Sequence, residues 1–590
     1  MLDLVIRDAL IVDGSGQPGR HGDLGVRQGR IAAVGEVDAG ARRVIKAEGM
    51  VVCPGFIDVH THYDAQLFWD PTASPSALHG VTTVVAGNCG ISLAPLHRED
   101  DFLLRLLSRV EAIPLESLTA GVTPTWSSFP EFLDVVESLK KALNVGFLAG
   151  HSSIRRFVMG EEASARPASP GQLDSMRRLL DEAVAAGALG FSSATASTHF
   201  DGDGRPTPPT FASREELVAL AAVCRDHAGT SVEFIPASAG YGFDDAGDDL
   251  RLMAEMSGAA ARHLNWNTVL FKYPGIPDIQ DRQLRSADVG VELGAAVVPM
   301  VIPHNFRVRT DLLESDVGFR SLPAFGPLFD LPRAERLSAL RSERVRADLA
   351  TGQAAAGPNA MFMAALEEQL VSDVGPRHLE HLVGVPVRDV AARRGTDLLT
   401  TILDLAVESE LEIGFVRHLV PVATAEQRAL RRRVLRDPRI VLGASDGGAH
   451  VRGVVNVEYS TASFAELVRA EAVFTLEELV REFTDVPARL YGMRGRGRLH
   501  PAYWADMVIF DPDRIGASAV SLRRDLPAGA ARLYSTGVGI EAVFVAGEEI
   551  IRSGEHTDAR PGQLLRSGRD TTTVPAAEVR RLRTRYEGPV

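Results

Sequence analysis

The stretch PGFIDVHTHYDAQLFWD, residues 54–70, places two histidines one residue apart at the end of an apolar run. In a β-strand, residues i and i+2 point to the same face, so His60 and His62 converge, and Asp58 points the same way. Neutral imidazole is the commonest nitrogen ligand of zinc-like metals. The apolar approach with its Pro-Gly break is typical of a barrel strand that ends at a site. The motif therefore favours a metal site over two histidines satisfied by packing.

Length, composition and charge limit the class of protein. The 590 residues exceed one ordinary compact core, so we expect a large domain with at least one smaller one. The apolar fraction of 45% and charged fraction of 24% are typical of a soluble globular protein. A net charge of −14 argues against nucleic acid or an anionic membrane as partner.

Cysteine usage and hydropathy predict the compartment. The three cysteines, Cys53, Cys89 and Cys224, make no disulfide framework, which favours a reducing cytoplasm. Charged residues interrupt the N-terminal stretch MLDLVIRDALIVDG, so it does not read as a signal peptide. No run approaches 18 uninterrupted apolar residues, so we expect no membrane span.

The pattern of elements predicts how the chain is organised. Residues 1–54 and 495–556 read as short strands with glycine-rich turns, and we expect both ends to pair into one small β domain. Residues 55–494 alternate strands with helices, which favours an α/β protein with an eight-stranded (β/α)8 barrel. Residues 304–375 lack strand signals and are interpreted as an insertion near the barrel mouth, a candidate lid. The polar tail, 557–590, is expected to dock loosely.

Two further side chains at strand ends could join the histidines. Cys89 lies in GVTTVVAGNCGIS, where a strand gives way to a loop, although a lone buried cysteine is usually inert packing. Asp446 lies in VLGASDGGAHVRG, where it could ligate metal and accept a proton, or simply form a turn. His450 in the same stretch could touch substrate or cap the loop. Cys53 and Cys224 are interpreted as packing.

Several motifs resemble one family over roughly residues 1–555. PGFIDVHTH, GVTTVVAGNCGISLAPL, GALGFSS, SDGGAH and GRGRLHPAYWADMVIFDP are similar to the amidohydrolase superfamily, and GNCGISLAPL is specific to its N-acyl-D-amino-acid deacylase branch. The resemblance implies a (β/α)8 barrel with a small β-sandwich built from both chain ends. It also implies a metal centre from His60, His62 and Asp446. Cys89 would serve as the anionic ligand in place of a carboxylated lysine, which GALGFSSATAS lacks.

The sequence departs from the family at two strands that normally supply histidines. The fifth strand, GTSVEFIPAS, has Glu233, a competent hard ligand. The sixth, RHLNWNTVLFKY, offers Asn265 or Asn267, which are weak ligands, and His263 comes too early. One site of His60, His62, Asp446 and Cys89 is therefore expected, with Glu233 as a further candidate metal ligand. The cofactor implied is one or two divalent ions, and cysteine with histidine favours zinc.

The resemblance implies hydrolysis of an N-acyl-D-amino acid to a carboxylate and a D-amino acid. Metal-activated water would attack the amide, with Asp446 as general base that passes the proton to the leaving amine. Because this small-molecule substrate is anionic, a local cation is expected, and arginine suits a carboxylate. The candidates are Lys272, Arg307, Arg309 and Arg452. His151 in GFLAGHSSIRR matches a Gly-His of the family and would line the site or serve as a structural hydrogen-bonding residue.

Two other functions stay open. A cyclic-amide hydrolase of the hydantoinase kind would use the same centre without a carboxylate clamp. A metal-poor relative that only binds a ligand is favoured by the missing histidines, but Asp446 argues against it because a pure binder needs no general base. The sequence carries no signal for an oligomer.

Overall fold

The computed structural model describes residues 1–243, 247–272, 276–313, 318–320, 322–357, 364–420 and 422–582. The strands over this part of the chain are β1 Leu2–Ile11, β2 Arg20–Arg27, β3 Arg30–Gly35, β4 Ala41–Lys46, β5 Val51–Pro54, β6 Phe56–Asp58, β7 Val81–Ala86, β8 Asn144–Phe147, β9 Ala149–Gly150, β10 Gly190–Ala194, β11 Ser231–Ile235, β12 Leu264–Trp266, β13 Val297–Val301, β14 Arg307–Thr310, β15 Leu370–Val374, β16 Ile413–His418, β17 Val441–Leu442, β18 Met507–Phe510, β19 Gly516–Ala517, β20 Ser521–Arg523, β21 Arg532–Tyr534, β22 Gly537–Val538, β23 Ile540–Val545, β24 Glu548–Arg552 and β25 Glu555–His556.

The α-helices of the described residues lie mostly between the strands of the central region. They are α1 Phe102–Val110, α2 Leu115–Gly121, α3 Phe129–Ser138, α4 His151–Met159, α5 Pro170–Ala185, α6 Arg214–Val223, α7 Asp248–Ala260, α8 Ile279–Glu292, α9 Gly326–Phe329, α10 Arg333–Arg341, α11 Glu343–Ala354, α12 Val387–Arg394, α13 Leu398–Glu408, α14 Ala425–Leu435, α15 Tyr459–Ser463, α16 Leu476–Phe483, α17 Asp485–Leu490 and α18 Ala576–Arg581. A π-helical segment, Phe464–Ala470, continues α15.

Two parallel sheets form the centre of the molecule. The first has the order β6-β7-β8, and the second has the order β17-β13-β12-β11-β10-β9. Only Leu148 separates β8 from β9. At the other side, Thr61 after β6 forms a parallel bridge to Gly447 after β17. The outer strands of the two sheets therefore meet, and the α/β class predicted from the alternation is confirmed.

Local sequence explains several of these elements. The strand β7, VTTVVA, is buried along its whole length, as parallel strands covered on both faces are. The helix α16 begins with a capping box of Thr475 and Glu478. At α6 the Ser213 side chain accepts the backbone N–H of Glu216. The Glu216 carboxylate does not complete a capping box and instead pairs with the buried Arg155. A tertiary ion pair thus overrides a local cap.

Both chain ends pair into one nine-stranded sheet, as the sequence predicted. The order is β25-β24-β23-β18-β5-β1-β2-β3, with β4 beside β1. Along β18, Met507 and Ile509 pack in a core with Leu4, whereas Val508 and Phe510 pack in the main core. This alternation puts one face of the sheet on its own core and the other against the α/β region.

The inserted segment has more regular structure than its sequence indicates. The strands β14 and β15 both pair antiparallel with β16. A separate hydrophobic cluster reaches from Leu312 to Phe415, beyond the predicted end at residue 375. Strands therefore form in 304–375 although its sequence carries no clear strand signal. The strands RVRT and LVSDV mix polar with apolar residues, so they carry little strand signal.

The C-terminal tail is held firmly in its described part. Gly562 forms an antiparallel β-bridge to Lys141, and Leu564 forms a parallel β-bridge to Val145 in the strand β8. Leu564 and Leu565 are buried in hydrophobic contacts. The expected loose docking of 557–590 is thus wrong for residues 557–582, because backbone pairing anchors a polar segment. Residues 583–590 lie outside the described residues.

Among the described residues, no helix combines the length and the apolar character needed to cross a lipid bilayer.

The anchored tail predicts a stability effect. Replacing Leu564, which is 2% exposed, by alanine leaves a cavity and should lower the free energy of unfolding by about 2–5 kcal/mol. Leu522→Ala is the matched control because Leu522 is 48% exposed, and its effect should stay within about 0.5 kcal/mol. Chemical denaturation measures both. Equal effects of the two substitutions would contradict the docking of the tail.

Candidate metal centre

Four ligand atoms converge where the strands β6, β7 and β17 end. Cys89 Sγ lies 3.4 Å from His60 Nε2 and 3.9 Å from His62 Nε2. The Oδ1 of Asp446 lies 3.2 Å and 3.7 Å from the same two nitrogens. A tetrahedral zinc ion with bonds of about 2.0–2.3 Å needs ligand atoms about 3.3–3.7 Å apart. The distances from the two histidine nitrogens to Cys89 and Asp446 lie close to this spacing, and among the described residues His60, His62 and Cys89 form a group whose ligand atoms all lie within 4.8 Å of one another.

Strand ends and backbone contacts position these ligands. His60 and His62 follow β6 on one side of the chain, and the His62 N–H donates to the carbonyl of Gly447 at 2.7 Å. Cys89 has a φ of 56°, in the left-handed region that non-glycine residues rarely adopt. The Asn88 side chain next to it donates to the carbonyl of Val85 at 3.0 Å. These bonds hold the turn that aims the thiol at the histidines.

Glu233 contacts the backbone of the candidate ligand Cys89. Its Oε2 accepts the backbone N–H of Cys89 at 3.0 Å. Within the described part of the chain, the compact group of possible ligands is His60, His62 and Cys89, and both Asp446 and Glu233 lie outside it. Burial raises the pKa of the Glu233 carboxyl to about 8. The geometry therefore favours support of Cys89 over direct ligation by Glu233.

The sixth strand contributes Asn267 rather than Asn265. The Nδ2 of Asn267 lies 3.3 Å from His60 Nε2. Asn265 is buried, and its Oδ1 accepts the hydroxyl of Tyr491 at 3.2 Å. The strand β12 ends at Trp266, so strand alternation no longer relates the side chain of Asn267 to that of Asn265. Asn267 thus borders the metal centre as a weak neutral group.

Charges around the centre favour a cation. Burial, with Glu233 and Glu111, raises the pKa of the Cys89 thiol well above its ordinary value. Burial also opposes ionisation of Asp446, but the two histidines outweigh it and hold the pKa of Asp446 well below its ordinary value. A divalent ion would stabilise the Cys89 thiolate that these surroundings otherwise disfavour.

Two residues near the centre were missed by the sequence analysis. Glu111 is buried, and its Oε1 lies 3.4 Å from His62 Nδ1. The half-buried His199 has a pKa lowered by desolvation, and Glu111, His450 and His62 act on it electrostatically. Neither residue follows a strand or belongs to a motif, since Glu111 follows α1 and His199 lies in the loop after β10. No sequence signal marked them.

His151 is held by two buried side chains. Its Nδ1 contacts Ser193 Oγ at 2.9 Å, and its Nε2 contacts Glu216 Oε1 at 3.0 Å. Arg155 pairs with the same carboxylate, and all three residues are buried. Both ring nitrogens are thus engaged inside the protein. These contacts favour the structural hydrogen-bonding role among the two alternatives for His151.

The other predicted substrate residues differ in their distance from the centre. His450 is beside it, with Nε2 3.8 Å from Glu111 Oε2, and it lines one cavity together with Asp446. Each predicted cation pairs with an acidic side chain: Lys272 with Glu368, Arg307 with Glu458, Arg309 with Asp311 and Asp373, and Arg452 with Glu116. A carboxylate clamp from these cations would require exchange of those pairs.

The family model described as the amidohydrolase family matches residues 43–551. This chain belongs to the amidohydrolase family. That match covers most of the chain, including all four ligand residues and the insertion. The resemblance inferred from the sequence motifs is thereby confirmed.

Similar proteins align with the chain over nearly its full length. An uncharacterized protein of Mycobacterium tuberculosis is 30% identical, with 96% of each chain covered. An N-acyl-D-glutamate deacylase of Alcaligenes xylosoxydans xylosoxydans is 27% identical over 98% of this chain and 99% of the relative. The crystal structure of an N-acyl-D-glutamate deacylase from Bordetella bronchiseptica, complexed with zinc and a phosphonate inhibitor, is 26% identical. It has a TM-score of 0.63 and covers 96% of this chain and 100% of its own.

The buried network around Glu216 predicts a stability effect of Glu216→Gln. Burial opposes ionisation of Glu216, but His151 and Arg155 outweigh it and lower its pKa to about 2. This stabilisation is present above the ordinary pKa of about 4.3 and is lost as the pH falls toward 2. Glu216→Gln leaves the Arg155 charge buried without its carboxylate, and should lower the free energy of unfolding by about 3–5 kcal/mol at pH 7.

Denaturation at several pH values measures this effect. Glu215→Gln is the matched control because Glu215 is the exposed neighbour in the same helical turn. The difference between Glu216→Gln and the wild type should shrink as the pH falls from 5 toward 2. A difference that stays constant with pH would contradict the assigned pairing.

Proposed function

We propose that the chain is a metal-dependent hydrolase of linear C–N amide bonds, with N-acyl-D-amino acids as its substrate class. The observation that carries this proposal is the compact group of His60, His62 and Cys89, with the Oδ1 of Asp446 3.2 Å and 3.7 Å from the two histidine nitrogens. Full-length similarity to proteins named N-acyl-D-glutamate deacylase supports the substrate class. The reaction would yield a carboxylate and a D-amino acid.

The residues that would hold the metal are His60 and His62 through Nε2, Cys89 through Sγ and Asp446 through Oδ1. Zinc suits this mixture of nitrogen, sulfur and oxygen donors. When bound, zinc supplies Lewis-acid chemistry, because it makes water more acidic near neutral pH and polarises a carbonyl. Glu233 would support Cys89 through the Cys89 N–H.

Asp446 is the residue that would move the proton. Its low pKa keeps the carboxylate ionised at neutral pH, and its side chain is 23% exposed and so accessible to substrate. The carboxylate would accept a proton from the attacking water and pass it to the nitrogen of the leaving amine. His450 lines the same cavity and would contact the substrate beside that carboxylate.

We also infer that the two parallel sheets form one closed eight-stranded barrel. Only one residue separates β8 from β9, so these two count as one strand that joins the sheets on one side. The parallel bridge between Thr61 and Gly447 joins them on the other side and supports closure. The nine-stranded sheet would fold over its own core as a small β-sandwich, with boundaries near residues 54 and 495. The three cysteines of the described chain are free and buried, which supports a reducing cytoplasm.

The insertion is proposed to act as a lid over the site. Its Glu368 pairs with Lys272, which follows the strand β12 at whose end Asn267 borders the centre. This ion pair joins the insertion to the rim of the α/β region. Because surface ion pairs contribute only about 0–1 kcal/mol, such a contact can open and close.

A cyclic amide is the second candidate substrate. The predicted cations Lys272, Arg307, Arg309 and Arg452 all pair with acidic side chains. A site whose cations are already paired favours a substrate that needs no carboxylate clamp. Hydrolysis of hydantoins in preference to N-acyl-D-amino acids would favour this alternative.

The metal assignment predicts a cysteine-dependent zinc site. Metal analysis of zinc-loaded, dialysed protein should give about one zinc ion per wild-type chain. Cys89→Ala should lose zinc because it removes the anionic donor. Cys224→Ala is the matched control, since Cys224 is also buried and its Sγ lies 3.8 Å from the carbonyl oxygen of Ser231 rather than beside the histidines. Equal zinc retention in both variants would contradict the assignment of Cys89 as a ligand and leave it as a residue that only packs in the core.

The base assignment predicts the behaviour of Asp446→Asn. Since asparagine cannot accept the proton, kcat on an N-acyl-D-amino acid should fall by about 100-fold or more. A panel of N-acyl-D-amino acids, their L-enantiomers and a hydantoin would be assayed with zinc-loaded protein. Wild-type protein that holds zinc but hydrolyses no member of the panel would contradict the proposed function.

A further inference from the structure

Glu111 is a buried carboxylate that contacts two histidines of the metal centre and its surroundings, His62 and His450. It follows α1 and is 2% exposed. Its Oε1 lies 3.4 Å from His62 Nδ1, and its Oε2 lies 3.8 Å from His450 Nε2. Its backbone carbonyl accepts the N–H of His450 at 2.5 Å. One residue therefore contacts a ligand histidine and the loop that carries Asp446.

The position of Glu111 matters for the tautomer of His62. Because His62 Nε2 faces Cys89 and Asp446, its Nδ1 must carry the hydrogen when Nε2 acts as a ligand. His62 Nδ1 and Glu111 Oε1 are both buried, and neither has a hydrogen-bond partner elsewhere among the described residues. A carboxylate facing Nδ1 orients the ring and increases the basicity of the other nitrogen.

The second contact of Glu111 acts on the loop after β17. Asp446 and His450 have φ values of 52° and 50°, in the left-handed region. Such backbone persists at non-glycine residues where the surroundings hold it. The carbonyl of Glu111 holds His450, and the N–H of Ala449 donates to the carbonyl of Asp446 at 2.8 Å. The backbone bond at His450 therefore helps to fix the position of Asp446, the proposed base, through the bond between Ala449 and Asp446.

We propose that Glu111 is the positioning residue of the metal centre. It would fix His62 with Nε2 toward the metal and hold the Asp446 loop at the same point. The inference rests on the proposed function, because it assigns Glu111 a role at that same site. Glu111 faces Nδ1 of His62, the side away from Cys89 and Asp446, so it is not itself a group that touches substrate.

Cobalt binding to metal-free protein tests this role directly. Co²⁺ bound by a cysteine thiolate gives a charge-transfer absorption that reports the ligand geometry as well as the affinity. Glu111→Ala should weaken Co²⁺ binding by about 10- to 100-fold and alter this spectrum. Glu111→Gln should lie between the wild type and Glu111→Ala, since its amide oxygen can still accept the Nδ1 hydrogen.

The contacts of the Glu111 carboxylate with His62 and with His450 can be tested separately. His450→Ala removes the side-chain contact with the Glu111 carboxylate but leaves that carboxylate on His62 and keeps the backbone bond to the Glu111 carbonyl, so Co²⁺ affinity should stay within about threefold of the wild type. Glu182→Gln is the matched control because Glu182 is an exposed residue of α5, and it should behave as the wild type. All affinities are referred to the folded fraction measured by circular dichroism.

The outcomes distinguish this inference from the proposed function. Wild-type protein that binds neither Co²⁺ nor Zn²⁺ would overturn both. A wild type that binds metal and hydrolyses substrate, together with Glu111→Ala that has wild-type affinity and spectrum, would overturn the positioning role alone. If Glu111→Ala does not fold, wild-type affinity and spectrum in Glu111→Gln would overturn it in the same way.

Discussion

The pairing of the chain after β6 with the chain after β17 is the constraint on which the site depends. The His62 N–H donates to the carbonyl of Gly447 at 2.7 Å, and the Asp446 N–H donates to the carbonyl of His60 at 3.2 Å. These bonds set the ligand histidines and the acid in register. Gly448 permits the contact, because a Cβ there would lie 2.7 Å from the His62 carbonyl and its φ is +93°. Ligand spacing is therefore fixed by backbone before any metal binds.

The sequence predicted those parts of the site that depend on local geometry. Strand alternation was enough to bring His60 and His62 together, and the strand ends located Cys89 and Asp446. Glu111 and His199 were not predictable, because a helix end and a long loop carry no periodic signal. The choice between Asn265 and Asn267 needed the exact end of β12. Both roles of His151 stayed open because a buried histidine with two partners looks the same in sequence as a site histidine.

The same distinction holds for the fold. The strand-helix alternation and the strand-rich chain ends predicted the α/β class and the pairing of both ends, since each depends on repeated patterns. The insertion was underestimated because β14 and β15 are short and half polar. The tail was misjudged because backbone bridges at Gly562 and Leu564 anchor it. Such bridges involve no side-chain pattern, so composition does not reveal them.

X-ray absorption at the zinc edge, on zinc-loaded protein, tests the central claim most directly. The account predicts about one sulfur ligand at about 2.3 Å together with nitrogen and oxygen ligands at about 2.0–2.2 Å. The sulfur contribution should disappear in Cys89→Ser. A zinc environment of nitrogen and oxygen alone in the wild type would contradict the four-ligand centre formed by His60, His62, Cys89 and Asp446.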